Sequence, residues 1–184
     1  MSSNIEKIMI IPKRYENAKW EDVPTTIQDA FEALRTVGKG IYIHGAIGTG
    51  KTHICWALKK HYDKPEVWRY LKFWNVVDLM HEIRSDFDRQ YGDKRRPEED
   101  LCDPEERNKV LILDDIGVEK ATEFVAETLY RIINFRYNHM LPTIFTSNLP
   151  VSELADKIGE RSASRIVEMC DIIELTGGDR RIKK

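Results

Sequence analysis

Gly45-Ala46-Ile47-Gly48-Thr49-Gly50-Lys51-Thr52 follows directly on the apolar run Ile41-Tyr42-Ile43 and matches the spacing G-x-x-x-x-G-K-[ST]. The pattern has a physical reason. Glycines let the chain wrap with its backbone N–H groups pointing inward, where they cradle phosphate oxygens. A lysine in the position of Lys51 reaches the β- and γ-phosphates, and a hydroxyl in the position of Thr52 coordinates Mg²⁺. The segment that follows, Lys51 to His61, reads as a helix, so its positive end also faces the phosphates. Strand, loop and helix in that order imply a nucleoside triphosphate and Mg²⁺ as ligands. Gly45, Ala46, Ile47, Gly48, Thr49, Gly50, Lys51 and Thr52 form the binding loop, and Thr52 is a metal ligand.

Working outward, apolar spacing predicts alternating strands and helices. Ile41–His44 reads as a strand, Val67–Phe73 as a second, and Asn75–Tyr91 as a helix with Val76, Leu79, Met80, Ile83 and Phe87 on one face. Gly92–Asn108 is rich in Asp, Glu, Lys, Arg and Pro and reads as a solvated connection. Its Lys94-Arg95-Arg96 cluster is diluted by Glu98, Glu99 and Asp100, which favours an ordinary surface loop over a phosphate contact. Val110–Leu113 is a continuous apolar strand of the kind buried on both faces. Thr122–Asn138 has Val125, Leu129, Ile132 and Ile133 at helical spacing. Pro142–Phe145 reads as a strand, Ser152–Ile158 as a short helix and Ile172–Leu175 as a last strand. Such alternation specifies an α/β fold, a three-layer αβα arrangement with a central parallel sheet that binds nucleotides at its carboxyl edge.

Asp114-Asp115 sits where that edge requires acids. The strand Val110–Leu113 delivers both carboxylates beside the loop: Asp114 suits Mg²⁺, and Asp115 suits the orientation or deprotonation of an attacking water. Thr146-Ser147-Asn148 ends another strand, and the Asn148 amide at that edge can bond both the γ-phosphate and the water. An Asn-Leu-Pro turn explains the same residues without a catalytic role.

Composition limits the remaining possibilities. The 184 residues carry a formal net charge of −2 and 41% hydrophobic residues, so attraction to DNA must come from a local basic face or from an assembly that concentrates one. No apolar run has the length of a membrane span, and Met1–Lys7 lacks a signal-peptide core. Cys55, Cys102 and Cys170 are scattered, which suits a reducing cytoplasm and no zinc site. Cys55 and Cys170 read as core fillers, and His53 and His61 as helix-surface residues.

G-x-x-G-T-G-K-T-H at 45–53, V-L-I-L-D-D-I-G at 110–117, T-S-N-L at 146–149, G-E-R-x-x-S-R-I at 159–166 and D-R-R at 179–181 together resemble the AAA+ P-loop ATPases of the DnaC/DnaI helicase-loader and IstB transposition-helper group. The resemblance runs from about Ile11 onward. It implies that Gly45–Thr52 is Walker A, that Asp114 and Asp115 are the Walker B acids, and that Asn148 is sensor 1. Arg165, with Arg161 second, is implied as the arginine finger, and Arg181 as a sensor 2-like arginine. Asp115 stands where most AAA+ proteins have Glu, which implies slow hydrolysis. The stretch near Ile11 and Tyr15 resembles the strip beside the adenine. The helix Asn75–Tyr91 occupies the place of an element that faces single-stranded DNA in the loaders. Lys72, Arg84, Phe87, Arg89 and Tyr91 are its candidate contacts, although a helix packed on the sheet would look the same.

The resemblance implies residues 1–40 as an N-terminal segment packed partly near the nucleotide and residues 41–184 as the ATPase core. Neither the loaders' N-terminal partner-binding domain nor a separate helical lid domain is expected. The function it implies is an ATP-hydrolysing protein of DNA replication, a minimal loader of a replicative helicase that forms a homo-oligomer on single-stranded DNA. An IstB-like helper of a DNA transposase shares every motif. A small-molecule P-loop kinase shares only the first, and a non-hydrolysing regulator that occupies a loader's interface is a further alternative.

Overall fold

Successive residues of a strand point to opposite sides of a sheet, and here both sides are apolar. In the computed structural model, which describes residues 11–62, 71–87, 97–103, 110–118 and 122–180, Ile41, Ile43, Val110, Ile112 and Ile144 enter one core. Tyr42, Leu111, Leu113 and Phe145 enter the other. Five strands, β1 (Gly40–His44), β2 (Leu71–Asn75), β3 (Val110–Asp114), β4 (Thr143–Ser147) and β5 (Cys170–Glu174), pair in the order β2-β3-β4-β1-β5, every pair parallel. β3 and β4 are buried along their whole length.

Helices cover both faces. α1 (Thr25–Val37) and α2 (Lys51–Tyr62) fill the first core with Ile27, Phe31, Leu34, Ile54, Cys55 and Leu58. α3 (Val76–Phe87), α4 (Pro97–Leu101), α5 (Glu123–Asn138), α6 (Val151–Ile158) and α7 (Glu160–Met169) enclose the second. The architecture is the expected αβα P-loop fold. None of the described helices is long and apolar enough to cross a membrane.

Several boundaries differ from the sequence reading. The stretch before β1, expected as an N-terminal segment, holds α1, whose apolar positions 27, 31 and 34 lie on one face and whose end is fixed by Gly38 at φ 78°. The charged connection 92–108 contains α4, which buries Leu101 and Glu98; Glu98 pairs with Arg131 of α5 at 3.2 Å. β2 extends to Asn75 rather than ending at Phe73, because Trp74 and Asn75 stay in register with Leu113 and Asp114. The described part of α3 runs to Phe87, and residues 67–70, 88–91 and the Lys94-Arg95-Arg96 cluster lie outside the described residues. Cys55 and Cys170 are buried fillers as expected.

Candidate functional site

Parallel pairing brings every strand's carboxyl end to one edge. Register places His44, the last residue before the loop, beside Ser147 of β4 and Glu174 of β5. The loop 45–50, the turn 115–117, the turn 148–150 and the segment after β5 therefore share one rim.

Within the loop the chain satisfies itself. Lys51, only 5% exposed, donates from Nζ to the carbonyls of Gly45 (2.8 Å) and Ala46 (2.9 Å). The Thr49 hydroxyl also donates to Ala46 O, and Ile54 N–H donates to Gly50 O, which starts the first turn of α2. The loop is thus already folded around its lysine.

The two expected metal ligands meet. Thr52 Oγ1 donates to Asp114 Oδ2 at 3.0 Å, although 62 residues separate them in sequence. Asp114 is 1% exposed, and Thr146 Oγ1 donates to its other oxygen at 2.7 Å. Burial pushes the Asp114 carboxyl up to about 6. The Thr146 hydrogen bond opposes that rise, the neighbouring Asp115 adds to it, and Thr52 and Lys51 oppose it weakly. A divalent cation at this point would relieve the same penalty. Among the described residues no group of three or more His, Cys, Asp or Glu side chains converges, so phosphate oxygens and water would complete the coordination of a cation held by Thr52 and Asp114.

Asp115 is half-buried and adopts φ 60°, a left-handed conformation that Asp tolerates better than Glu or branched residues. Its N–H donates to Thr146 Oγ1 at 2.9 Å, so a single hydroxyl holds one acid by its side chain and the next by its backbone. Sequence reasoning assigns Thr146 no role of its own. The available signal is a Thr-Ser pair that follows Ile144-Phe145 at the end of a buried strand. Ser147 Oγ donates to Ile116 O (2.7 Å), Ile116 N–H donates to Thr146 O (2.9 Å), and the Tyr42 hydroxyl donates to Leu149 O (2.7 Å). Asn148 sits half-buried at the end of β4, on the rim with the acids.

The arginines lie elsewhere. Arg161 and Arg165 are both on α7, which packs against α5 and α6 on the face of the sheet opposite α2. Arg161 is exposed. The Arg165 guanidinium lies over the Tyr130 and Tyr137 rings (5.0 and 5.6 Å) and donates to Arg161 O at 2.9 Å and to the Tyr130 hydroxyl at 3.4 Å. Neither is brought to this chain's own loop. Arg181 lies outside the described residues, but its neighbour Arg180, which no motif singles out, donates its N–H to Gly48 O at 2.9 Å.

Tyr15 stacks on Trp56 of α2, and Ile11 and Tyr15 both pack on the first core. Of the candidate DNA contacts, Arg84 lies over the Phe124 ring at 4.8 Å and Lys72 is half-buried on β2. Arg89, Tyr91 and the Phe87 side chain lie outside the described residues.

Comparison with known proteins agrees with this geometry. The model of the family described as IstB-like ATP binding protein matches residues 29–184. The chain is 29% identical over 174 residues to the uncharacterized protein YqaM of Bacillus subtilis, covering 85% of this chain and 52% of that protein. It is 29% identical over 157 residues to the replicative helicase loader DnaI of the same organism, covering 78% and 48%. The chain therefore spans about half the length of these curated relatives. The crystal structure of the DnaC helicase loader superimposes with a TM-score of 0.73 and 26% identity, over 90% of this chain and 100% of that one.

Proposed function

Because the chain belongs to the family of IstB-like ATP-binding proteins, we propose that it binds and hydrolyses ATP with Mg²⁺ as an AAA+ protein of DNA replication. In this reading it is a cytoplasmic helicase loader that forms a homo-oligomer on single-stranded DNA. The observation that carries the nucleotide half is the contact of Thr52 Oγ1 with Asp114 Oδ2 at 3.0 Å, beside a loop already wrapped around Lys51. Loop N–H groups and Lys51 would hold the β- and γ-phosphates, and Thr52 and Asp114 the cation. When bound, the cation would neutralise phosphate charge and orient the terminal phosphate. Asp115 would orient the attacking water, and Asn148 would bond the water and the γ-phosphate across the rim. The base would lie near Ile11 and Tyr15, and Arg181 would serve as the sensor 2-like arginine.

The arginines support action between subunits. With α7 on the opposite face from α2, the natural target of Arg165, or of Arg161 second, is a neighbour's phosphates. A finger of this kind is worth roughly 10³ to 10⁵ in rate. Lys51→Ala should abolish ATP binding or turnover, and full ATPase activity in that variant would sink the assignment. Arg165→Ala should leave ATP binding by a single subunit intact while lowering turnover of the assembled protein at least about 10³-fold.

The partner is read from the helicase loaders among the relatives. The alternative, a transposase helper, is read from the likeness to IstB. Co-purification decides between them, since a replicative helicase and a transposase are the two opposed outcomes.

A further inference from the structure

The segment after β5 turns back over the phosphate-binding loop. Leu175, buried in the first core, donates its N–H to His44 O at 2.6 Å, and Arg180 N–H closes the other end on Gly48 O at 2.9 Å. Between these anchors Gly177 and Gly178 touch nothing that a Cβ would reach within 4 Å, and Gly177 has φ 137°. The strap is therefore pinned at both ends and able to bend in the middle.

Its charged residues bracket the loop. A Cβ built on Gly48, which has φ 84°, would lie 2.1 Å from Asp179 Oδ1 and 2.2 Å from Asp179 Cγ. The Asp179 carboxylate thus fills the space a side chain at Gly48 would need. In effect the fourth position of the loop carries an aspartate supplied by another part of the chain. The Arg180 side chain lies beside Gly50, 3.4 Å from where a Cβ there would be. One arm of the strap suits a polyphosphate, and the other opposes it.

We propose that Asp179 sets the affinity of the loop for nucleotide: its carboxylate repels the bound phosphates, weakens their binding and speeds their release. The inference rests on the reading of Gly45–Thr52 as a triphosphate site. Like charges about 6 Å apart in a partly buried site interact strongly enough to change affinity at least about tenfold. Phosphates cradled by the N–H groups of this loop would share it with the carboxylate that fills the space over Gly48. Nucleotide release would accompany inward placement of Asp179, and retention would accompany bending of the strap at Gly177-Gly178.

The test compares the full chain with its Asp179→Asn, Asp179→Ala and Lys51→Ala variants, using a fluorescent N-methylanthraniloyl derivative of ATP with Mg²⁺. Equilibrium titration and displacement by excess ATP give affinity and release rate. Thermal unfolding checks that each variant folds. Both Asp179 variants should bind at least about tenfold tighter and release correspondingly slower. Amide exchange at Arg180 should accelerate when Mg·ATP is added to the unaltered chain. Unchanged or weaker binding in the Asp179 variants would overturn the inference while leaving the nucleotide site standing. Absence of binding in every form, Lys51→Ala included, would remove the site and the inference together.

Discussion

Asp114 is where the chemistry of single residues is most exposed to test. Its carboxyl sits about 6 against an ordinary 3.8, so between those values the folded chain keeps a proton that the unfolded chain surrenders. The advantage of the acid form is complete below about pH 3.8 and is lost as pH rises through about 6. Above pH 7 an ionised Asp114 then costs the fold on the order of 2–3 kcal/mol. Asp114→Asn, which keeps the shape and whose amide can accept from Thr146 and donate to Thr52, should raise stability by up to that amount at pH 8 in a chelator and by almost nothing at about pH 3. It should also weaken Mg²⁺-dependent nucleotide binding. If denaturant titration at pH 8 instead showed the variant destabilised, burial of the charge could not be what raises this carboxyl. The loop and the paired acids are legible because their meaning is carried by spacing a few residues long. Thr146 is not, since nothing local says that a strand hydroxyl will reach across to β3. Arg180 shows the same limit at its finest, because D-R-R does not say which arginine touches the loop.

Elements inherit that limit wherever their partners are distant in sequence. α5 turns Val125, Leu129, Ile132 and Ile133 inward as their spacing predicts, and the same stripe continues to Arg136, which is 2% exposed. Its Nε donates to Thr143 Oγ1 at 2.7 Å, Nη2 to Pro142 O at 2.9 Å, and Nη1 to Leu101 O at 3.5 Å. One guanidinium therefore ties α4, the α5–β4 turn and the start of β4 to the end of α5. Arg136→Met would fill the volume but strand those acceptors. A loss of about 3 kcal/mol or more in urea titration is expected, and less than about 1 kcal/mol would refute the tie. At the other end, Thr122 Oγ1 accepts from Val125 N–H, and Thr122→Ala should cost about 1 kcal/mol. α4 hides inside a charged run, although Pro97 at its first position and three acids behind it are ordinary start signals. α1 carries the usual apolar period and a glycine stop, but it lies ahead of the loop, where no motif draws the eye to a helix.

At the scale of the whole molecule, the sheet separates the phosphate-binding loop from the arginine proposed as a finger. The loop and α2 belong to one face, and the arginine-bearing α7 to the other. If turnover depends on a neighbour's arginine, Lys51→Ala and Arg165→Ala damage different partners in the same event. Mixing the two inactive variants should therefore yield more ATPase activity than the sum of the pair measured alone, rising with protein concentration. A mixture no more active than its components would point to chemistry confined to one chain. The strands and their layering are legible because alternating apolar runs encode them directly. Contacts between copies leave no periodicity to read. Behind the rim, Ser147 and Thr146 bond to both sides of Ile116, so the turn bearing the acids and the turn bearing Asn148 are riveted into one plate. A phosphate held on this rim would therefore meet a braced wall on the side of the acids and Asn148.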